Sequence, residues 1–247
     1  MKAFFPFVML LSLFLGILMI NNSLVIDNKN DLNENTNYKY ILIEQPEWYF
    51  QDNSINSYKI KSSEAKRIKE NGKIILSQPL IEINSLKKIT HSGEALVAEI
   101  HPTINILSLQ KKASIRSLSE EKNYELNSNQ INIDRNKNTI FSSSKSTLKT
   151  EALYLKSNDF FLEKIKDNST KITFSETEIL KIDPSGKKKI LGYSKKVHFF
   201  PEEKLLILRD SAKLFQDEIT IQADEIRYDL VQEKILTSKI PKPSKEI

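Results

Sequence analysis

Residues 218–229 read Glu218-Ile219-Thr220-Ile221-Gln222-Ala223-Asp224-Glu225-Ile226-Arg227-Tyr228-Asp229. Under the two-residue period of a strand, Ile219, Ile221 and Ala223 share one face, and Glu218, Thr220 and Gln222 share the other. After Asp224-Glu225 the alternation resumes, with Ile226 and Tyr228 set against Arg227 and Asp229. Such a strand lays one face on a core or an apolar groove and the other in water. Spacing alone treats core and groove alike.

Working outward, the same grammar recurs. Short apolar runs stand at Tyr40-Ile41-Leu42-Ile43, Lys73-Ile74-Ile75-Leu76, Leu80-Ile81-Glu82-Ile83 and Gln130-Ile131-Asn132-Ile133. Others fill 194–200 and 205–208, and Asn, Asp, Ser, Lys or Pro bound them all. Strands of about four to eight residues are predicted. Two hairpins stand out. Val197-His198-Phe199-Phe200 is followed by Pro201-Glu202-Glu203-Lys204 and then Leu205-Leu206-Ile207-Leu208. Ile131-Asn132-Ile133 is followed by residues 134–138 and then Thr139-Ile140-Phe141. Asp183-Pro184-Ser185-Gly186 is a turn by composition. Residues 62–71 could form a helix ending before Gly72, but Ala65 and Ile68 are too few for an apolar stripe, so strand and turn are predicted. His198 alternates with Val197 and Phe199 and is expected to face water. The regular spacing points to an all-β sandwich, barrel or open roll.

The N-terminus differs. Residues 3–20 are apolar apart from Pro6, Ser12 and Gly16, and as a helix they reach about 27 Å, near the thickness of a bilayer's hydrocarbon. Lys2 and the α-amino group place the N-terminus in the cytoplasm and send the remainder across. The competing reading is a cleaved signal peptide, but Leu18-Met19-Ile20-Asn21-Asn22-Ser23 offers no small-x-small step. Residues 1–22 are therefore expected to be a single transmembrane anchor, and the Asn- and Asp-rich stretch 23–39 a flexible spacer.

Chemistry is harder to find. The chain of 247 residues has no cysteine, which excludes disulfides, thiolate nucleophiles, cysteine-ligated metals and a lipoprotein anchor. His91, His101 and His198 lie in separate segments with no partner at metal-ligand spacing. The five glycines are isolated, so no phosphate-cradling loop exists, and no Gly-x-Ser-x-Gly elbow occurs. The net charge of +5 is spread over single and paired lysines, which argues for solvated surface rather than a nucleic-acid-binding tail. No enzyme, cofactor or metal site is expected.

The middle of the chain resembles the LptC family of inner-membrane lipopolysaccharide-export proteins. The resemblance is carried by Asn56-Ser57-Tyr58-Lys59-Ile60, by Ser63-Glu64-Ala65, and by Ile75-Leu76-Ser77-Gln78-Pro79-Leu80-Ile81. The C-terminal part resembles the OstA/LptA-type repeat, through Gly192-Tyr193-Ser194-Lys195-Lys196-Val197-His198-Phe199, residues 201–208 and residues 211–229. One departure is Asp210, where that family usually carries Gly before the small-Ala step.

The resemblance implies a twisted open β-jellyroll behind a single N-terminal transmembrane helix. The expected organisation is an LptC-like β domain over 40–165, an OstA/LptA-like segment over 170–240 that continues the roll, and a tail at 241–247. The implied function is transport of lipopolysaccharide across the periplasm. The chain would accept it from an inner-membrane ABC transporter complex, which supplies the energy, and pass it through an apolar groove to an LptA-like periplasmic protein docked by strand addition. The groove candidates are Phe199, Leu206, Leu208, Ile219, Ile221 and Tyr228. Rival readings are a soluble LptA-like bridge with a cleaved signal, and a structural envelope scaffold that binds no lipid. A polyanion binder is the remaining rival, and the export signal argues against it.

Overall fold

A computed structural model describes residues 40–51, 56–85, 88–101, 104–119, 123–165, 169–182, 188–216 and 219–239. The expected anchor over 1–22, the spacer over 23–39, the turn at Asp183-Pro184-Ser185-Gly186 and the tail at 241–247 lie outside these residues. The described residues hold nineteen strands in one antiparallel sheet and no helix. Residues 62–71 are strand and turn, as their sparse apolar pattern implies.

The strands run as a meander of long passes, each interrupted near its middle. In the first half most passes are broken in two: β1 (Tyr40–Glu44) and β2 (Glu47–Gln51), β3 (Asn56–Lys61) and β4 (Glu64–Ile68), β5 (Ile74–Ser77) and β6 (Leu80–Ser85), β7 (Lys88–Glu94) and β8 (Val97–Ile100). β9 (Ile106–Ser117) and β10 (Glu125–Asp134) run through, and β11 (Thr139–Ser142) with β12 (Ser146–Lys149) and β13 (Leu153–Ser157) with β14 (Asp159–Lys164) are broken again. The remaining passes, β15 (Thr170–Ile182), β16 (Lys188–Phe200), β17 (Leu205–Gln216), β18 (Ile219–Asp229) and β19 (Lys234–Lys239), are continuous. β14 pairs with β15, so the ladder is unbroken between the two halves of the chain.

Strands of 12 and 13 residues exceed the four to eight predicted from composition. The reason is bulging. The ladder slips between Ser128 and Gln130, between Tyr193 and Lys196, and between Arg209 and Ala212. A bulge bends a strand without ending it, so each half keeps the predicted length. Lys111, Lys112, Glu176, Asp210 and Ser211 take left-handed backbone there, and Gln45 and Gln78 do so between broken halves. Asp210 (φ 60°) therefore adopts a left-handed conformation that Gly enters without steric cost.

Bending would orphan backbone carbonyls along the crease, and hydroxyls cover them. Ser63 Oγ donates to the Ser77 carbonyl at 3.0 Å, Ser146 Oγ to that of Ser144 at 2.7 Å, and Ser157 Oγ to that of Asp159 at 2.7 Å. Ser194 Oγ lies against the carbonyls of Lys196 and Arg209. The crease thus divides the sheet into two layers facing one core. One, here the A layer, holds β2, β3, β6, β7, β12, β13 and the halves at 114–117, 125–128, 178–181, 188–194, 212–216 and 219–223. The B layer holds β1, β4, β5, β8, β11, β14, β19 and the halves at 170–175, 196–200, 205–209 and 225–229. Leu76, Leu109, Ile115, Leu126, Ile131, Leu148, Leu155, Ile172 and Phe174 fill the space between them with essentially no exposure.

Among the described residues the sheet does not close. Among the described residues the β1–β2 pass pairs only with β3–β4, and β19 only with β18. Tyr40, Ile41, Leu42 and Ile43 are all exposed along the first edge.

Candidate functional site

Registers in the C-terminal half assemble two cross-strand rows on the inner face of the B layer. One runs Ile172, Phe199, Leu206, Tyr228, and the next runs Phe174, Val197, Leu208, Ile226. Four of the six sequence-derived groove candidates, Phe199, Leu206, Leu208 and Tyr228, therefore touch along neighbouring strands. They are 2%, 0%, 0% and 4% exposed. Each such side chain contributes on the order of 1.5–3 kcal/mol by leaving water. Burial, and secondarily the carboxylates of Glu233 and Asp229, raises the pKa of Tyr228 above that of an ordinary phenol.

The other two candidates lie across the crease. Ile221 opposes Leu214 and Ile219 opposes Gln216, both beyond the Arg209–Ala212 bulge and so in the A layer. Ile221 is half-buried against the core, whereas Ile219 is 65% exposed. The six residues thus do not form one patch, because the bulge turns one strand through both layers.

His198 corrects an expectation. It lies on the outer face of β16, opposite to Val197 and Phe199, but only 6% of it is exposed. Thr173 and Ile207 flank it in the ladder, with Thr173 Oγ1 3.0 Å from Nδ1. Burial, with the nearby charges of Lys171, Arg209 and Lys196, lowers its pKa to about 4. The alternation rule located the face correctly, but Thr173 and Ile207 on the neighbouring strands flank the ring, and little of it is exposed. His91 is also buried, with Nε2 2.7 Å from the Tyr124 hydroxyl. Burial raises the Tyr124 pKa far above the usual phenol value.

The interior is reached at the mouth opposite the crease, where the layers' outer ends meet. A cleft of about 220 Å³ opens onto Phe199 between Thr150, Glu151 and Ala152 of the A-layer end and Pro201, Lys204 and Leu230 of the B-layer end. It is smaller than a typical small-molecule pocket, and the side chains behind it pack into one buried cluster. Polar contacts bridge the mouth along its length. Lys181 Nζ meets Glu233 Oε2 at 2.5 Å. The Tyr58 hydroxyl donates to Asn138 Oδ1 at 3.1 Å, and the Arg135 guanidinium lies over the Phe50 ring, 4.4 Å from its centre. None of these partners was legible in the sequence. Arg135 sits in a turn that composition identifies, but nothing in local spacing pairs it with a residue more than eighty positions away.

The family model described as lipopolysaccharide-assembly, LptC-related matches residues 8–158. A second, the LptA/(LptD N-terminal domain) LPS transport protein model, matches residues 123–234. No curated protein matches the chain. Among solved structures, it is similar to LptH of Pseudomonas aeruginosa, described as the LptA homologous periplasmic component of the conserved lipopolysaccharide transport device. The identity is 16%, the match covers 51% of this chain and 87% of that one, and the TM-score is 0.42.

Proposed function

The chain belongs to the LptC-related lipopolysaccharide-assembly family and carries an LptA-like segment in its C-terminal half, and from that premise we propose how it takes part in lipopolysaccharide transport. It accepts lipopolysaccharide from an inner-membrane ABC transporter complex on the periplasmic side. It holds the acyl chains between its two layers, as a twisted open jellyroll, and passes them to an LptA-like periplasmic protein. Residues 1–22 hold it in the inner membrane as a single pass with the N-terminus in the cytoplasm. The chain performs no chemistry of its own, since the transporter supplies the energy.

The observation that carries this reading is the pair of inward rows through Phe199, Leu206, Leu208 and Tyr228, in a sheet open at both ends. Acyl chains displace side chains from side chains there, and the apolar area kept from water is conserved in the exchange. The layers part at the mouth, where polar contacts as well as core packing join them. Among the described residues, the edges at β1–β2 and β18–β19 offer unpaired backbone to neighbouring proteins, the usual device of strand addition.

A benzophenone side chain at Ile221, half-buried at the border of the interior, tests the proposal in cells. An adduct with lipopolysaccharide that requires ATP supports transport through the interior. The filled core favours a second reading, a scaffold that binds no lipid. Absence of an adduct at Ile221, Phe199 and Tyr228 in folded protein favours that reading instead.

A further inference from the structure

The C-terminal edge of the sheet is only half covered. β19 pairs with β18 from Asp229 back to Glu225, where Lys239 is the last partner. Beyond that point residues 219–223 of β18 have no partner on the outer side among the described residues. The B layer therefore ends on β19 and the A layer on β18.

The register identifies the groups left over. The Leu230 N–H donates to the Lys204 carbonyl at 2.9 Å, toward the β17 side. Backbone groups alternate in direction along an antiparallel strand. Both slips beside β18 put their extra residue in the neighbour: Arg209 to Ala212 spans Glu225 to Ala223, and Thr237 to Ile235 spans Arg227 to Tyr228. The alternation thus runs unbroken through β18. Even-numbered residues face β17, and Glu225, Ala223, Ile221 and Ile219 face the outer edge. Glu225 meets Lys239, while the N–H and C=O groups of the other three have no ladder partner among the described residues.

The chain's own continuation is a poor partner for them. Carried on in the same register, Pro241 would stand opposite Ala223 and Pro243 opposite Ile221. At these positions the two strands point their N–H groups at each other, and proline has none to give. Its ring would also press on the facing carbonyl. In the other phase the same prolines would lack donors only toward solvent, so both their spacing and their phase matter.

The uncovered half-edge carries an alternating face. Ile221 is half-buried against the core and Ile219 is 65% exposed, while Thr220 and Gln222 are exposed on the opposite face. We propose that Pro241 and Pro243 are a strand stop. They end β19 at the crease and keep Ile219–Ala223 free as the seat for an extended strand of a partner protein with apolar residues at alternate positions. Such a strand covers Ile219 and continues the apolar wall of the A layer. The partner's place in lipopolysaccharide transport rests on the function proposed above. The stop narrows the C-terminal edge to one half of one strand, and it accounts for the exposure of Ile219.

Amide hydrogen exchange of the full-length protein in detergent micelles reads this edge directly. In the unaltered chain Ile221 and Ala223 are expected to exchange rapidly, and Gln222, which faces β17, slowly. Removing residues 240–247 should leave all three rates unchanged. Pro241→Val combined with Pro243→Val lets the tail extend β19, and should slow Ile221 and Ala223 at least about tenfold, the factor that one ladder hydrogen bond supplies. A synthetic peptide alternating Val and Thr should slow the same two amides in the unaltered chain but add nothing in the double variant. The same peptide N-methylated at its Val residues should have no effect on either. Slow exchange at Gln222 throughout shows that the sheet is intact.

Slow exchange at Ile221 and Ala223 that the truncation makes fast would show that the tail already pairs there, and overturns the stop. So does a double variant in which both amides remain fast. Protection in the double variant without any effect of the peptide on the unaltered chain overturns the seat. None of these readouts involves lipid, so failure of the proposed function, read from the adduct at Ile221 in cells, is seen separately.

Discussion

A Cβ placed on Gly192 would stand 2.3 Å from the backbone carbonyl oxygen of Lys213. Gly192 opposes Leu214 in the β16–β17 ladder, next to the slip between Tyr193 and Lys196, so the two strands approach more closely there than a side chain allows. The consequence reaches the interior, because the same pair of strands carries Phe199, Leu206 and Leu208.

Gly192→Ala is therefore expected to destabilise by about 2–4 kcal/mol, since backbone and not a flexible side chain must move. Gly93→Ala is the control: its Cβ would meet Ile115 and Ser114 at 3.4 Å, close to ordinary contact. Its cost should be well under half as large. Urea unfolding of the two variants compares them directly, and equal midpoints would show that the close approach at Gly192 relaxes freely.

Asp210 and Ser211 both hold left-handed backbone at the bulge, as Lys111 and Lys112 do in β9. Asp tolerates that region better than a branched residue but less well than Gly. Asp210→Gly should be neutral or stabilising by up to ~1 kcal/mol, and Asp210→Val should cost about 1–2 kcal/mol. Thermal unfolding would reveal the order Gly, Asp, Val, and any other order would mean that the bulge is not the constraint.

His198 makes stability depend on pH. Its folded pKa is about 4, below the ordinary value of 6.5, so between those values the unfolded chain binds the proton and the folded chain does not. Stability then rises with pH across that window. Acidification from pH 6.5 to 4 removes on the order of 1–3 kcal/mol at this site, and no further loss arises from it below pH 4. His198→Gln should flatten that part of the profile, measured by denaturant unfolding at several pH values. An unchanged slope would show that His198 takes up its proton without penalty.

Charge insertions sort the sequence-derived candidates by depth. Leu206→Asp places a carboxylate in a site with no exposure and is expected to prevent folding. Ile219→Glu, at 65% exposure, should leave both folding and lipid binding unaltered. Ile221→Glu is the informative variant, because its side chain borders the core without being enclosed. It should fold with a loss of about 1–2 kcal/mol and lose lipid binding. Normal binding by a folded Ile221→Glu would exclude that border from the lipid path.

Much of this protein could be read locally. Alternation along 218–229 identifies a strand with one apolar face, and Pro201-Glu202-Glu203-Lys204 between two apolar runs identifies the β16–β17 hairpin. Both depend on neighbours one to four residues apart, where side-chain period and turn chemistry act directly. The same reasoning found the inward face that holds Phe199, Leu206, Leu208 and Tyr228. It could not separate a filled core from an empty groove, because an apolar side chain obeys the same period in both.

What only the tertiary structure decided is long in range. The left-handed pairs that crease β9 and β17 split single strands between two layers, and so placed Ile221 and Leu206 on opposite walls. The cover over His198 comes from residues on other strands. The approach of Arg135 to Phe50 joins positions that no local pattern relates. Each depends on which strands become neighbours after the sheet bends. That is set by the free energy of the whole packed interior, and sequence separation carries no record of it.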